Sequence, residues 1–256
     1  VLSDLSRDQI IKNFGIIFLP YLIFFAGSFL FFGFFADYVE FYQEKTSLFV
    51  FSHDYLRDNL SQPGSLLVYL GRFLTTFYYY PVVGAVIISL TICLIMYMIS
   101  AIIRFLSERE YILLPVLFGT AFFILHSNYN FLLYNSLGVL LQLLFFCLAI
   151  KYLKGFIPVI IFPLWYFVTG GFAWIFALMY VLHLALISIK KEWPEIISLV
   201  ALSLLVIYIL KEFFLFQTFK NLMIFPFSNE DTGSQIKFFI VVIALITLIP
   251  LSRIIK

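Results

Sequence analysis

Long apolar runs, separated by short polar groups and by two longer mixed segments, dominate the chain. A helix rises about 1.5 Å per residue, so roughly 20 apolar residues cross the hydrocarbon of a bilayer. Shorter runs serve where the helix borders a protein-lined cavity or the bilayer thins. The pattern predicts eight spans, at 14–36, 81–103, 111–125, 131–150, 156–168, 172–189, 196–210 and 238–249. The mixed segments, 37–80 and 211–237, are predicted to lie together on one side of the membrane. The first of them reads as two interfacial helices. One covers 48–60, where Leu48, Phe49, Phe51, Tyr55, Leu56 and Leu60 alternate with His53, Asp54, Arg57 and Asp58. Such two-faced helices lie in the headgroup plane. Gln62-Pro63-Gly64 breaks the chain, and a second, more apolar helix follows over 65–80. Tyr78, Tyr79 and Tyr80 read as an aromatic belt at the start of the next span.

Composition strengthens this picture. Of 256 residues 63% are hydrophobic and only 12% charged, about half the charged share of an ordinary soluble domain. The mean hydropathy is +1.07. A soluble protein so composed would expose large apolar patches. The class is therefore an all-α integral membrane protein. A net charge of +2, with no basic stripe, gives no footing for nucleic acid. Cys93 and Cys147 lie within apolar runs and read as free thiols. The first apolar run is too long for a signal peptide and is read as a retained helix. The chain begins at Val1 with no Met, as a piece of a longer protein would.

Charge sets the expected orientation. With the N-terminus in the cytoplasm, the inner segments carry Arg7 and Lys12, Arg104 and Arg109, Lys151 and Lys154, Lys190 and Lys191, and Arg253 and Lys256. The short outer turns carry no basic residue. The positive-inside rule favours this arrangement, with both ends cytoplasmic. It predicts a multi-pass protein, one polytopic unit over 1–256, with 37–80 and 211–237 outside.

Candidate chemistry gathers on that outer side. Asp37 ends the first span, and Glu40 follows three residues later. Charged groups at a helix end act as anchors. A carboxylate at the membrane surface can also serve as a general base or bind an acceptor. If the helix continues past Ala36, Asp37 and Glu40 share one face. His53, Asp54 and Arg57 form either a solvated face or a binding cluster. His126 and Asn130 stand at a turn between two apolar runs, where polar groups face protein or a cavity. Arg57, Arg72, Lys220 and Lys237 are the cations available to an anionic ligand. Gln142 and His183, inside spans, read as helix-to-helix hydrogen-bonding groups. No G-x-x-x-x-G-K-[ST], G-x-S-x-G or H-E-x-x-H pattern occurs. No ladder of ionisable residues runs through the spans, which counts against an ion-driven transporter.

The segment 51–84 is the most distinctive. It contains His53-Asp54-Tyr55-Leu56, Gln62-Pro63-Gly64, Tyr69, Arg72-Phe73-Leu74-Thr75, Phe77-Tyr78-Tyr79-Tyr80-Pro81 and Gly84. It resembles the N-terminal membrane region of a family of uncharacterised polytopic inner-membrane proteins from Bacteroidota, a resemblance that implies a longer chain and brings no function. The order of elements also resembles the GT-C glycosyltransferases: one span, a long outer segment with two interfacial helices, further spans with short loops, then a second long outer segment. That resemblance implies acid–base or acceptor-binding work by an acidic residue early in the first outer segment, matched here by Asp37 with Glu40 as the alternative. It implies a polyprenyl-phosphate-linked sugar as donor and leaves a divalent metal open. Two function classes stand side by side: a membrane transferase acting on a lipid-linked substrate at the outer leaflet, and a non-catalytic scaffold or transport subunit that docks an envelope protein.

Overall fold

In the computed structural model, residues 7–59, 62–107, 111–153, 155–214, 218–226, 242 and 246–250 are described. Every regular element among them is helical. In chain order these are α1 (Arg7–Leu30), a π turn (Phe31–Phe35), α2 (Asp37–Thr46), α3 (His53–Asn59), α4 (Ser65–Thr75), a 3₁₀ turn (Thr76–Tyr79), α5 (Pro81–Ser107), α6 (Leu113–His126), α7 (Leu133–Lys151), α8 (Ile157–Thr169), a 3₁₀ turn (Gly170–Phe172), α9 (Ala173–Ile209), a π turn (Leu210–Phe214) and α10 (Phe219–Ile224). Five stretches are long and apolar enough to cross a membrane: Phe18–Phe35, Pro81–Ser107, Leu133–Lys151, Ile157–Leu186 and Trp193–Glu212. The protein is an all-helical membrane protein. Its surface agrees, since Leu113, Ile160 and Leu164 are each at least 69% exposed, as side chains facing lipid are.

α5 is the central helix and packs against α1, α6 and α7. Its sequence explains why. Ala85, Ile88, Ile92, Ile95, Ile99, Ile102 and Leu106 recur at three- and four-residue steps and are buried, one stripe of the helix. Val82, Val86, Leu90 and Leu94 point outward and are exposed. Lipid is as apolar as these side chains, so helix association here relies on close packing and small residues rather than on escape from water. Gly71 and Gly138 mark such contacts: a Cβ on Gly71 would lie 2.5 Å from the Tyr134 Cβ, and one on Gly138 2.6 Å from the Phe172 ring.

Two chain reversals interrupt the apolar runs. The stretch 157–186 is a hairpin, because Gly170 takes φ +60° and Phe162 and Phe176 then stack with ring centroids 6.4 Å apart. α9 also bends. Tyr180 and Glu195 would stand about 22 Å apart on a straight helix, yet the Tyr180 hydroxyl donates to Glu195 Oε2 at 3.3 Å. Pro194, whose ring removes a backbone donor, lies within this helix.

The segment 37–80 differs from its expected form. The helix expected over 48–60 begins only at His53, and an additional helix, α2, precedes it. Leu48 and Phe51 stay exposed outside any helix. Phe49 instead meets the rings of Phe51, Tyr55, Tyr69 and Phe73 at 4.9–5.6 Å. The second expected helix is α4, and it is seated on the bundle rather than laid flat. Leu67, Val68, Gly71 and Thr75 are buried, and α4 packs on α7 and α8. Together these elements cap one end of the bundle.

Candidate functional site

The cap and the start of α5 enclose a polar site. It begins with a break in α1. The Phe31–Phe35 run closes with an i→i−5 bond, Ala36 N donating to Phe31 O at 2.9 Å, and the chain then leaves helical geometry at Ala36. Such π turns recur at functional sites. α2 restarts at Asp37 in a new phase. Val39, Glu40 and Gln43 turn inward and are buried. Asp37, Tyr38, Phe41, Glu44 and Lys45 fall on the other flank at helical spacing.

That flank faces Tyr78, Tyr79 and Pro81 across a groove of about 540 Å³. Asp37 is exposed on its wall. Asp37 and Glu40 stay neighbours three residues apart on α2, with Asp37 at the exposed edge on the groove and Glu40 beside it turned into the interior. The Glu40 carboxyl is 0% exposed. It occupies the space beside Gly84, which a Cβ there would take from it, and the Tyr78 ring packs within 3.2 Å of the same point. Tyr78 is thus the wall between Glu40 and the groove.

Among the described residues, neither Glu40 oxygen meets a hydrogen-bonding group, nor does the Tyr78 hydroxyl. Burial first, and the charge of Asp37 second, push the Glu40 carboxyl up to about 8. At neutral pH it is mostly a neutral acid. Burial first, then Glu40, drive the Tyr78 phenol well above its ordinary range. Both groups lie outside the five long apolar stretches.

The polar interior continues past Glu40. Gln43 Nε2 donates to the Phe131 carbonyl at 2.8 Å. The Phe131 ring meets the His126 ring edge-on at 5.0 Å, and His126 Nε2 lies 2.7 Å from Ser136 Oγ. Gln43 Oε1, His126 Nδ1 and Asn135 Oδ1 are buried without partners among the described residues. His126 accordingly ties α6 to α7 and is fully buried, one step removed from the groove.

The remaining candidates scatter. His53, Asp54 and Arg57 are exposed on α3. Arg72 donates to the Tyr55 hydroxyl at 3.2 Å. Asn130 is exposed, its N–H donating to Asn128 Oδ1 at 3.0 Å, which makes it a turn residue. The Lys220 side chain and Lys237 lie outside the described residues. The cation that lines the groove is Lys45, 5.4 Å from the centre of the Phe41 ring. Sequence reasoning passed over Lys45, though it stands eight residues after Asp37, two helical turns on and near the same face. Tyr78 belongs by sequence to the aromatic belt Tyr78–Tyr80. Tyr79 and Tyr80 are 71% and 62% exposed, but Tyr78 only 2%. Gln142 does join two helices, its Oε1 accepting from Trp165 Nε1 at 2.8 Å. Cys93 and Cys147 are free. Among the described residues no three His, Cys, Asp or Glu side chains converge as a metal-binding group.

A family model described as "Family of unknown function (DUF6057)" matches residues 12–256, nearly the whole chain, and the chain belongs to that family. Comparison with curated proteins and with solved structures gives no match.

Proposed function

We propose that this member of the DUF6057 family is a membrane-embedded transferase working at the outer leaflet of the inner (cytoplasmic) membrane on a lipid-linked substrate, a sugar carried on a polyprenyl phosphate, in the manner of GT-C glycosyltransferases. One observation carries the reading: a carboxylate, Asp37, and an ammonium, Lys45, share a tyrosine-lined groove backed by the buried acid Glu40. Gly84 and Arg104 lie 20 residues apart on α5, about 30 Å along the helix, the thickness of the hydrocarbon core. The groove therefore belongs at one bilayer surface and Arg104 at the other. The positive-inside rule puts Arg104 in the cytoplasm and the groove outside.

In this reading Lys45 holds the phosphate of the carrier. The acceptor oxygen bonds to the anomeric carbon as the carbon–oxygen bond to phosphate breaks. The acceptor proton passes to Asp37, and the carrier leaves as its phosphate anion beside Lys45. Glu40 does not touch the substrate. It is a positioning residue that, kept neutral, spares the groove a second negative charge next to Asp37.

The test uses the full chain in proteoliposomes with a labelled polyprenyl-phosphate sugar. Asp37→Asn should lower release of polyprenyl phosphate by about 10²- to 10⁴-fold. Glu40→Gln should match wild type at pH 7 and escape the fall in rate that Glu40 ionisation causes in wild type above pH 8. Equal release by wild type and Asp37→Asn would contradict the proposal and favour a non-catalytic scaffold.

A further inference from the structure

The groove that holds Asp37 and Lys45 carries more charge than the transfer step uses. Glu44 lines it as well, together with Tyr38, Phe41 and Tyr79. At about 100° of helix per residue, Glu44 falls about 20° from Asp37 around the axis of α2, and Lys45 about 80°. The two carboxylates thus form one rail, and the ammonium stands beside it. Side chains on a helix lean toward its N-terminus. The Lys45 ammonium does so, lying 5.4 Å from the centre of the Phe41 ring, a turn back from its own backbone and toward Asp37. Among the described residues Lys45 nevertheless forms no ion pair with Asp37 or Glu44, and neither carboxylate has a hydrogen-bonding partner. All three charges are open to a ligand.

Their sum decides what kind of ligand. Two carboxylates and one ammonium leave the charged side chains of the groove at a net −1. A ligand that brings only a phosphate to Lys45 adds a further negative charge beside that rail, and like charges a few Å apart repel. A ligand that also carries an ammonium removes the conflict. The rings suit such a cation. Tyr38, Phe41 and Tyr79 are exposed, and a ring face within about 6 Å attracts an ammonium. Tyr79 stands across the groove from α2. The floor is polar too, since Tyr78 lines the groove and its buried hydroxyl has no partner among the described residues.

We infer that the groove takes a zwitterionic headgroup: a phosphate ester on Lys45, with an ammonium on the Glu44 carboxylate and the Tyr79 ring. Ethanolamine phospholipids of the bilayer carry this pair of groups, and so does a polyprenyl phosphate bearing an amino sugar. The inference deepens the proposed transferase reading and rests on it for the phosphate on Lys45. Glu44 binds and selects, and takes no part in the transfer of a proton.

Native mass spectrometry of the full chain measures this binding without turnover. One arm compares phosphatidylethanolamine with phosphatidylglycerol of the same acyl chains. The other compares a polyprenyl phosphate carrying an amino sugar with its N-acetylated form, which has lost the ammonium. Wild type should prefer the ammonium-bearing ligand in at least one arm by about tenfold, the effect of a charge-assisted hydrogen bond, and the arm that shows it identifies the source. Glu44→Gln should abolish the preference. Tyr79→Leu should reduce it, and serves as the test if Glu44→Gln fails to fold. Lys45→Gln should weaken both members of a pair alike and leave their ratio unchanged. Glu212→Gln makes the same charge change outside the groove and should alter nothing. No preference in either arm, or one that survives both Glu44→Gln and Tyr79→Leu, would overturn the inference. Release of polyprenyl phosphate is a separate readout. Asp37-dependent release without an ammonium preference would sink this inference alone, and the preference without release would sink the transferase reading alone.

Discussion

Behind the exposed Asp37 sits Glu40. Its carboxyl is buried, and its midpoint rises from 4.5 to about 8. The folded state therefore keeps a proton that the unfolded chain gives up between those values. Proton linkage fixes the sign: the Glu40 contribution is most favourable below pH 4.5, diminishes as pH rises toward 8, and is level above. Thermal denaturation in detergent at pH 5.5 and 8.5 should show wild type losing more stability than Glu40→Gln over that interval. Equal losses would mean that Glu40 is solvated. Both acids were visible in the sequence as candidates, but which of them turns inward was not. The outcome depends on one extra residue in the Phe31–Phe35 turn and on the break at Ala36, and no apolar periodicity announces either. Tyr78 was hidden for a related reason. In a row of three tyrosines, only the 3₁₀ geometry of Thr76–Tyr79 decides which ring faces the protein.

Among the elements, α4 shows how far pattern reading reaches. Its existence and its start after Gly64 followed from Gln62-Pro63-Gly64 and the apolar run behind it. Its seat did not, since a helix rich in leucine and phenylalanine suits the headgroup plane as well as a protein surface. The distinguishing residue is Gly71. A Cβ there would come within 2.5 Å of the Tyr134 Cβ and 3.0 Å of its Cα. Backbone cannot swing aside as a side-chain tip can, so Gly71→Ala should cost about 1–3 kcal/mol and lower the midpoint of thermal unfolding in detergent. An unchanged midpoint would show that α4 does not rest on α7. The helix expected over 48–60 went astray because aromatic residues serve an interfacial helix and a ring cluster equally well. Phe49 takes the second role, its ring meeting Tyr69 edge-on and Phe73 at a tilt, both from α4.

At the scale of the whole molecule, hydropathy was the strongest signal and the class it predicts is the class observed. Five stretches are long and apolar enough to cross, against eight expected spans. The difference comes from short helices such as Leu113–His126, from the joining of 157–186 into one apolar run, and from residues beyond the described ones. The apolar pattern divides 156–168 from 172–189 and 172–189 from 196–210, at Gly170 and just ahead of Pro194. What the assembled helices produce is an asymmetric protein. One end carries the cap, the Asp37–Lys45 groove and the buried Glu40. The other carries Arg104 at the mouth of an apolar cleft. The central claim is that the capped end stores a neutral carboxyl directly behind an exposed one. Infrared difference spectroscopy of the full chain between pH 6 and 9 measures this most directly, through the carbonyl stretch of a protonated carboxylic acid. We predict a band that disappears with a midpoint near 8 in wild type and is missing from Glu40→Gln. A band that has already vanished by pH 6, or one that persists unchanged in Glu40→Gln, would contradict the account.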